Sequence, residues 1–240
     1  MSTIIITGAS SGIGKTCAEA FIAKGWTVGL MARRAEALQE IAAGHANAVP
    51  LPCDVTDASA VEASFDQFVK DQGRLDVLFN NAGMSPKPKP IDEVPVEEWL
   101  QVVNVNLTGM FLCARQAFKH MRAQGGGRIV NNGSISAHVP RDGSVCYTST
   151  KHAITGMTRT LSLDGRALGI ACGQIDIGNA ATDMVQALNQ HKIDTGQTPD
   201  PAMDVQHVAD ALLYMAELPL NANVQFMTVM ATQMAYIGRG

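Results

Sequence analysis

The chain has 240 residues, 46% of them apolar and 17% charged, which provides for a large core and argues against disorder. Its formal net charge of −4 gives no basic excess to neutralise a phosphate backbone, so nucleic acid is not expected as a partner. No apolar stretch approaches the roughly 20 residues needed to span a membrane, and Ser2-Thr3-Ile4-Ile5-Ile6 lacks the basic lead-in of a secretory signal.

Short β-branched runs alternate with helical patterns along the chain. Thr3–Thr7 reads as a strand, followed by a helix over Gly12–Lys24 with Ile13, Ala18, Phe21 and Ile22 on one face. A strand at Trp26–Ala32, a helix at Ala35–Ala43 and a strand at Asn47–Cys53 come next. Thr56 or Asp57 caps a helix over Ala58–Lys70, and Leu75–Phe79 is the fourth strand. Ser85–Pro90 reads as a surface loop. The second half gives a long helix at Val103–Arg122, stopped by Gly125-Gly126-Gly127, then a strand at Arg128–Asn132. A helix at Val145–Leu168, weakened near its end by Gly165, leads to a strand at Ile170–Ile175. Asp183–Asp204 is polar and weakly periodic, a place for a mobile substrate lid (about 183–204). A helix at Val205–Glu217 and a strand at Val224–Met230 complete the pattern. Such alternation predicts one α/β domain over residues 1–240, with a doubly wound, parallel seven-stranded sheet and helices on both faces.

Thr7-Gly8-Ala9-Ser10-Ser11-Gly12-Ile13-Gly14 lies between the first strand and the first helix. A helix N-terminus offers unpaired N–H groups to a pyrophosphate, and glycines let the backbone approach it. Gly8, Ser10, Ser11, Gly12, Ile13 and Gly14 are therefore candidate dinucleotide contacts. An NAD site would place a carboxylate at the end of strand two to bond the ribose 2′-hydroxyl. This chain has Arg33 and Arg34 there instead. A guanidinium suits a 2′-phosphate, so NADP(H) is expected in preference to NAD(H), with Arg33 the better placed of the two and Lys15 a weaker candidate.

Tyr147 and Lys151 are four residues apart on a helix and share a face. A nearby ammonium stabilises a phenolate, so the pair can serve as a general acid/base for an alcohol or carbonyl oxygen.

These motifs, with Asn80-Asn81-Ala82-Gly83, Asn104-Val105-Asn106-Leu107-Thr108-Gly109 and Ser134, resemble in order and spacing those of the short-chain dehydrogenase/reductase superfamily, from residue 3 to about 185. The resemblance implies a single-domain Rossmann fold and an oxidoreductase. Tyr147 would be the acid/base, and Lys151 would assist it and hold the nicotinamide ribose. Ser134 would bond the substrate oxygen. Asn106, with Asn104 as the rival, would offer a backbone carbonyl to a water in a proton relay. It further implies that Asp54 and Val55 flank the adenine, that Asn80, Ala82 and Gly83 line the adenosine ribose side, and that Ile177 and Thr182 meet the nicotinamide. Ile177 stands where many members have proline. The last strand is not followed by the Gly-rich aspartate motif of the acyl-carrier and sugar-alcohol groups.

The substrate is expected to be a small carbonyl or alcohol compound, with Ser136, His138 and Arg141 as candidate contacts. No metal is expected. Cys17, Cys53, Cys113, Cys146 and Cys172 are scattered without metal or disulfide spacing, which suggests a reducing, cytoplasmic setting. A homo-oligomer, tetramer or dimer, is expected through the two long helices. The alternatives are an NAD-dependent alcohol or sugar dehydrogenase and a non-catalytic dinucleotide-binding scaffold or sensor.

Overall fold

The computed structural model describes residues 2–237; Met1 and residues 238–240, at the ends of the expected domain, lie outside it. Its strands are β1 (Thr3–Thr7), β2 (Thr27–Ala32), β3 (Ala48–Pro52), β4 (Val77–Asn80), β5 (Gly127–Asn132), β6 (Ile170–Ile177) and β7 (Phe226–Val229). They form one sheet in the order β3-β2-β1-β4-β5-β6-β7, with every neighbouring pair parallel. The fold is thus the expected Rossmann-like α/β architecture. The chain winds outward from β1 to β3, then returns to β4 on the other side of β1. That reversal opens a crevice beyond the carboxyl ends of β1 and β4, where ligands bind in sheets of this kind.

Side-chain alternation along the strands builds two cores. Ile4 and Ile6 of β1, Val28 and Leu30 of β2, and Val77 and Phe79 of β4 face one layer. Helices α1 (Gly12–Ala23), α2 (Ala35–Ala42) and α8 (Gln206–Glu217) supply that layer through Phe21, Leu38, Val208 and Leu212. Ile5, Met31, Leu78 and Ile129 face the other way, onto Phe65 and Phe68 of α3 (Ala58–Gln72) and Cys113 and Ala117 of α5 (Met110–Gln124). Successive strand residues point to opposite faces, so a strand buried on both sides reads as the continuous apolar run seen in β1.

Local signals fix several element ends. Asp57 caps α3 by accepting from the backbone N–H of Ser59 at 2.9 Å and of Ala60 at 3.0 Å. Gly125, at φ +86, closes α5 in the left-handed region.

Three segments depart from the sequence reading. The helix expected from Val103 starts earlier, as α4 (Val96–Val103), and runs through a π-helical segment at Asn104–Gly109 into α5. Its apolar Val96, Trp99 and Leu100, at helical spacing, are exposed, while Val102 is buried. The polar stretch expected to be a lid contains a regular helix, α7 (Asp183–Asp194), capped by Thr182, whose hydroxyl accepts from Val185 N–H at 3.4 Å. The long helix of the second half, α6 (Val145–Gly165), gives way to a 3₁₀ turn at Arg166–Leu168.

Arg128 of β5 is 1% exposed. Its guanidinium donates to Asn223 Oδ1 at 2.9 Å and to the carbonyls of Leu218, Pro219 and Ala222 at 2.9, 3.2 and 3.0 Å. It satisfies the carbonyls just beyond α8 and ties that turn to the sheet. Arg128→Met leaves buried carbonyls unpaired, and chemical denaturation is expected to show a loss of about 2–4 kcal/mol. A loss under about 0.5 kcal/mol, the level of an ordinary surface change, would contradict this role.

Candidate active site

At the carboxyl ends of the strands lies a cleft of about 620 Å³. The glycine loop forms its floor. Gly8 and Gly12 have positive φ, +69 and +52, which only glycine adopts readily. A Cβ on Gly14 would collide with the Gly8 carbonyl oxygen, so the helix start can lie against the loop only without one. Ser11 precedes α1 without a side-chain cap, and no acidic residue occupies the first turn. The helix N-terminus therefore keeps N–H groups for an anion.

Three strand ends are tied together beside this loop. Thr7 Oγ1 accepts from the N–H of Asn81 and of Ala82, both at 2.8 Å. The Asn81 amide donates to Thr7 O at 2.8 Å and accepts from Asn132 Nδ2 at 2.7 Å. Asn81, Ala82 and Gly83 line the cleft. Asn80 does not. Its amide donates to Met110 O at 2.7 Å and Asn131 Oδ1 at 3.3 Å, inside the layer beneath the sheet. Of this pair, Asn81 is the one whose side chain faces the cleft, because adjacent residues of an extended chain face opposite ways.

Gly8, Ser10, Ser11, Gly12, Ile13, Gly14, Arg33, Arg34, Asp54 and Val55 all border the same cleft. Arg34 folds back on the glycine loop, with Nη2 at 3.0 Å from Ser10 O and 3.1 Å from Ser10 Oγ. Arg33 makes no hydrogen bond or ion pair among the described residues and is exposed. Asp54 Oδ1 accepts from the N–H of Thr56 at 2.9 Å and from its hydroxyl at 2.8 Å. The Thr56 N–H, with its hydroxyl and the nearby Arg33, holds the Asp54 carboxyl below its ordinary range. Lys15 pairs instead with Glu19 at 3.8 Å.

On the far side of the cleft stand Tyr147 and Lys151 of α6. Lys151 is 3% exposed. Its Nζ donates to Asn132 O at 2.8 Å and lies 5.4 Å from the centroid of the Tyr147 ring. That one protein hydrogen bond leaves two N–H groups for the cleft that Lys151 lines. Asn106 is wholly buried in the π-helical segment, whereas Asn104 is exposed. The Asn106 side chain is committed to Met84, accepting from its N–H at 2.7 Å and donating to its carbonyl at 2.8 Å. Such irregular helical turns often mark functional sites.

Ser134 follows β5. Its hydroxyl oxygen accepts from Ser136 N–H at 3.1 Å, and its own N–H donates to Asp176 Oδ1 at 3.0 Å. Ser134, Ser136, His138 and Arg141 lie in the connection from β5 to α6, outside the lining of the large cleft. Ser136 is buried; His138 and Arg141 are exposed. Ile177 packs into the core beside α8 and does not line the cleft; Gly178, Asn179 and Thr182 do. Sequence reasoning missed Asn81 and Asn132, the first although it lies inside a motif it quoted.

Burial pushes the thiols of Cys17 and Cys172 up to about 12, and raises those of Cys53, Cys113 and Cys146 as well. They stay protonated and are poor nucleophiles. Among the described residues no group of three or more His, Cys, Asp or Glu is placed to hold a metal ion, and no helix is long and apolar enough to cross a membrane.

Comparison with known proteins gives a consistent result. Residues 2–193 match the family model described as short chain dehydrogenase. A cis-4-hydroxycyclohexanecarboxylate dehydrogenase of Sinomonas cyclohexanicum is 33% identical over 220 residues, 88% of each chain. A 2-(R)-hydroxypropyl-CoM dehydrogenase of Xanthobacter autotrophicus is 34% identical over 224 residues, 88% of this chain and 90% of that one. Among solved structures, ElxO with NADP bound aligns with a TM-score of 0.87 at 28% identity, covering 95% of this chain and 96% of its own. The closed form of serine dehydrogenase with NADP+ aligns at 0.91 and 24% identity over 99% and 98%, a likeness of fold.

Proposed function

The chain belongs to the short chain dehydrogenase family and is an oxidoreductase with a nicotinamide dinucleotide cofactor; from that premise we propose that it prefers NADP(H) and interconverts a small carbonyl compound and its alcohol, with Tyr147 as the acid/base. The observation that carries this reading is the single cleft running from the α1 N-terminus to Tyr147 and Lys151. Its glycine floor fits the group: Gly8 and Gly14 let the loop pack closely against the start of α1, and that helix start keeps uncapped N–H groups for a pyrophosphate.

The bound dinucleotide supplies or takes the hydride. The remaining work falls to this chain's residues. In reduction the Tyr147 hydroxyl gives a proton to the substrate oxygen. Ser134, whose hydroxyl oxygen already accepts from Ser136, keeps its own O–H to donate to that oxygen and orient it. Lys151 turns its remaining N–H groups toward Tyr147 and the cofactor ribose, and the Asn106 carbonyl extends the proton path. Asp54, Val55, Asn81, Ala82 and Gly83 border the adenosine, and Gly178 and Thr182 the nicotinamide side. In the cell we read it as a cytoplasmic homo-oligomer, tetramer or dimer; five buried free thiols and the exposed Val96, Leu100 and Phe111 of α4 and α5 support this.

Arg33 and Arg34 support NADP(H). Arg34 is oriented by Ser10, and Arg33 has an exposed guanidinium without a hydrogen bond among the described residues at the same corner. The test is Arg33→Ala and Arg34→Ala assayed with both cofactors. Loss of one charge-assisted contact to a 2′-phosphate is expected to raise KM for NADPH about tenfold to a hundredfold, with much less change for NADH. An equal effect on both would overturn the NADP(H) assignment.

A further inference from the structure

One polar arrangement beside Ser134 is not used by the hydride-transfer chemistry. Asp176, the penultimate residue of β6, is fully buried. Oδ1 accepts from Ser134 N–H at 3.0 Å and from Gln174 Nε2 at 2.7 Å, and Oδ2 lies 2.8 Å from Nε2 of His138. Gln174 is in turn held by Thr155 and Thr158, each at 3.0 Å. A buried carboxylate is tolerated only when hydrogen-bonded or paired, and here both oxygens are. Gly133 leaves the space: a Cβ there would collide with Asp176 Oδ1. Asp176 therefore holds both the backbone of Ser134 and the ring of His138.

His138 is anchored through one nitrogen, which leaves Nδ1 free on a side chain 38% exposed. Three residues on, the exposed Arg141 donates from Nη2 to Asn179 Oδ1 at 3.2 Å. Among the described residues it pairs with no carboxylate; the neighbouring Asp142 is likewise unpaired with it. Asn179 borders the large cleft just beyond Gly178. Both side chains thus leave the connection between Ser134 and Tyr147 and cross to the carboxyl end of β6, the side where ligands of such sheets bind. The His138 charge, when present, is balanced by Asp176. The Arg141 guanidinium has no ion-pair partner among the described residues, and its planar fork matches a carboxylate.

We propose that Arg141, with His138 set by Asp176, forms a subsite for a carboxylate on the substrate, so that the enzyme acts on oxo acids and the corresponding hydroxy acids. This rests on the hydride-transfer reading above. The test takes a ladder of oxo acids of increasing length, beginning with pyruvate and levulinate, each against its methyl ester. NADPH is titrated first. Each pair is then titrated into the complex with NADP+, and turnover is followed with NADPH. The acid is expected to bind better and to be reduced with the higher kcat/KM. Arg141→Met is expected to lower the acid-to-ester ratio about tenfold to a hundredfold, and His138→Gln to lower it less. The ratio cancels general damage to folding or hydride transfer. If NADPH does not bind, the underlying reading fails and this one falls with it. If NADPH binds while acid and ester bind alike, or the ratio is unmoved by Arg141→Met, the subsite alone is wrong.

Discussion

Tyr147→Phe is expected to lower kcat by roughly a hundredfold to ten-thousandfold, the range in which a positioned general acid/base contributes. The substitution removes one hydroxyl and keeps the ring over which Lys151 Nζ sits at 5.4 Å, so packing is conserved. Tyr147 is half-buried at the edge of the cleft, and dinucleotide affinity should change far less than kcat. Because the loss is in proton transfer, it should appear in kcat and kcat/KM together. A variant within about tenfold of the parent, below the range for such catalysis, would show that another group moves the proton.

Lys151→Met is the second large effect, and its signature differs. Lys151 is almost completely buried, with one protein hydrogen bond to Asn132 O at 2.8 Å. Replacing a buried cation by an apolar side chain of similar length removes a desolvation cost. Thermal stability should therefore hold or rise while activity falls, as happens where function needs an unfavourable buried charge. We expect kcat to drop about a hundredfold or more, the scale seen when one electrostatic contact to the reacting groups is lost. We also expect NADPH affinity to weaken about tenfold, one charge-assisted hydrogen bond. Small alkylammonium ions should restore part of the rate. Loss of stability with kcat preserved would make Lys151 a structural residue.

The inner strands were legible because their residues are buried on both faces, as in Ile4-Ile5-Ile6, and need no partner to be recognised. The glycine loop was legible because Gly8 and Gly14 answer to backbone demands that a sequence states directly. Helix α4 was not. Its Val96, Trp99, Leu100 and Val103 recur at helical spacing, but they directly precede the longer run from Val103 and were not separated from the loop before it. Helix α7 was hidden because it has no buried residue of its own. At the site the limit is different. The quoted motif reached Asn80 and Asn81 together, but only the pleat decides that Asn81 turns to the cleft and Asn80 to Met110. Asp176 and His138 are 38 residues apart, and nothing local in the sequence joins them. Their meeting depends on β5 and β6 being neighbours in the sheet.

The central claim is that this cleft holds NADP(H) for hydride transfer, and a side-by-side fluorescence titration of the purified protein with NADPH and NADH tests it without knowledge of the substrate. Saturable binding of both is expected, with NADPH tighter by about tenfold or more, as one or two charge-assisted contacts to the 2′-phosphate require. Binding of neither dinucleotide would contradict it.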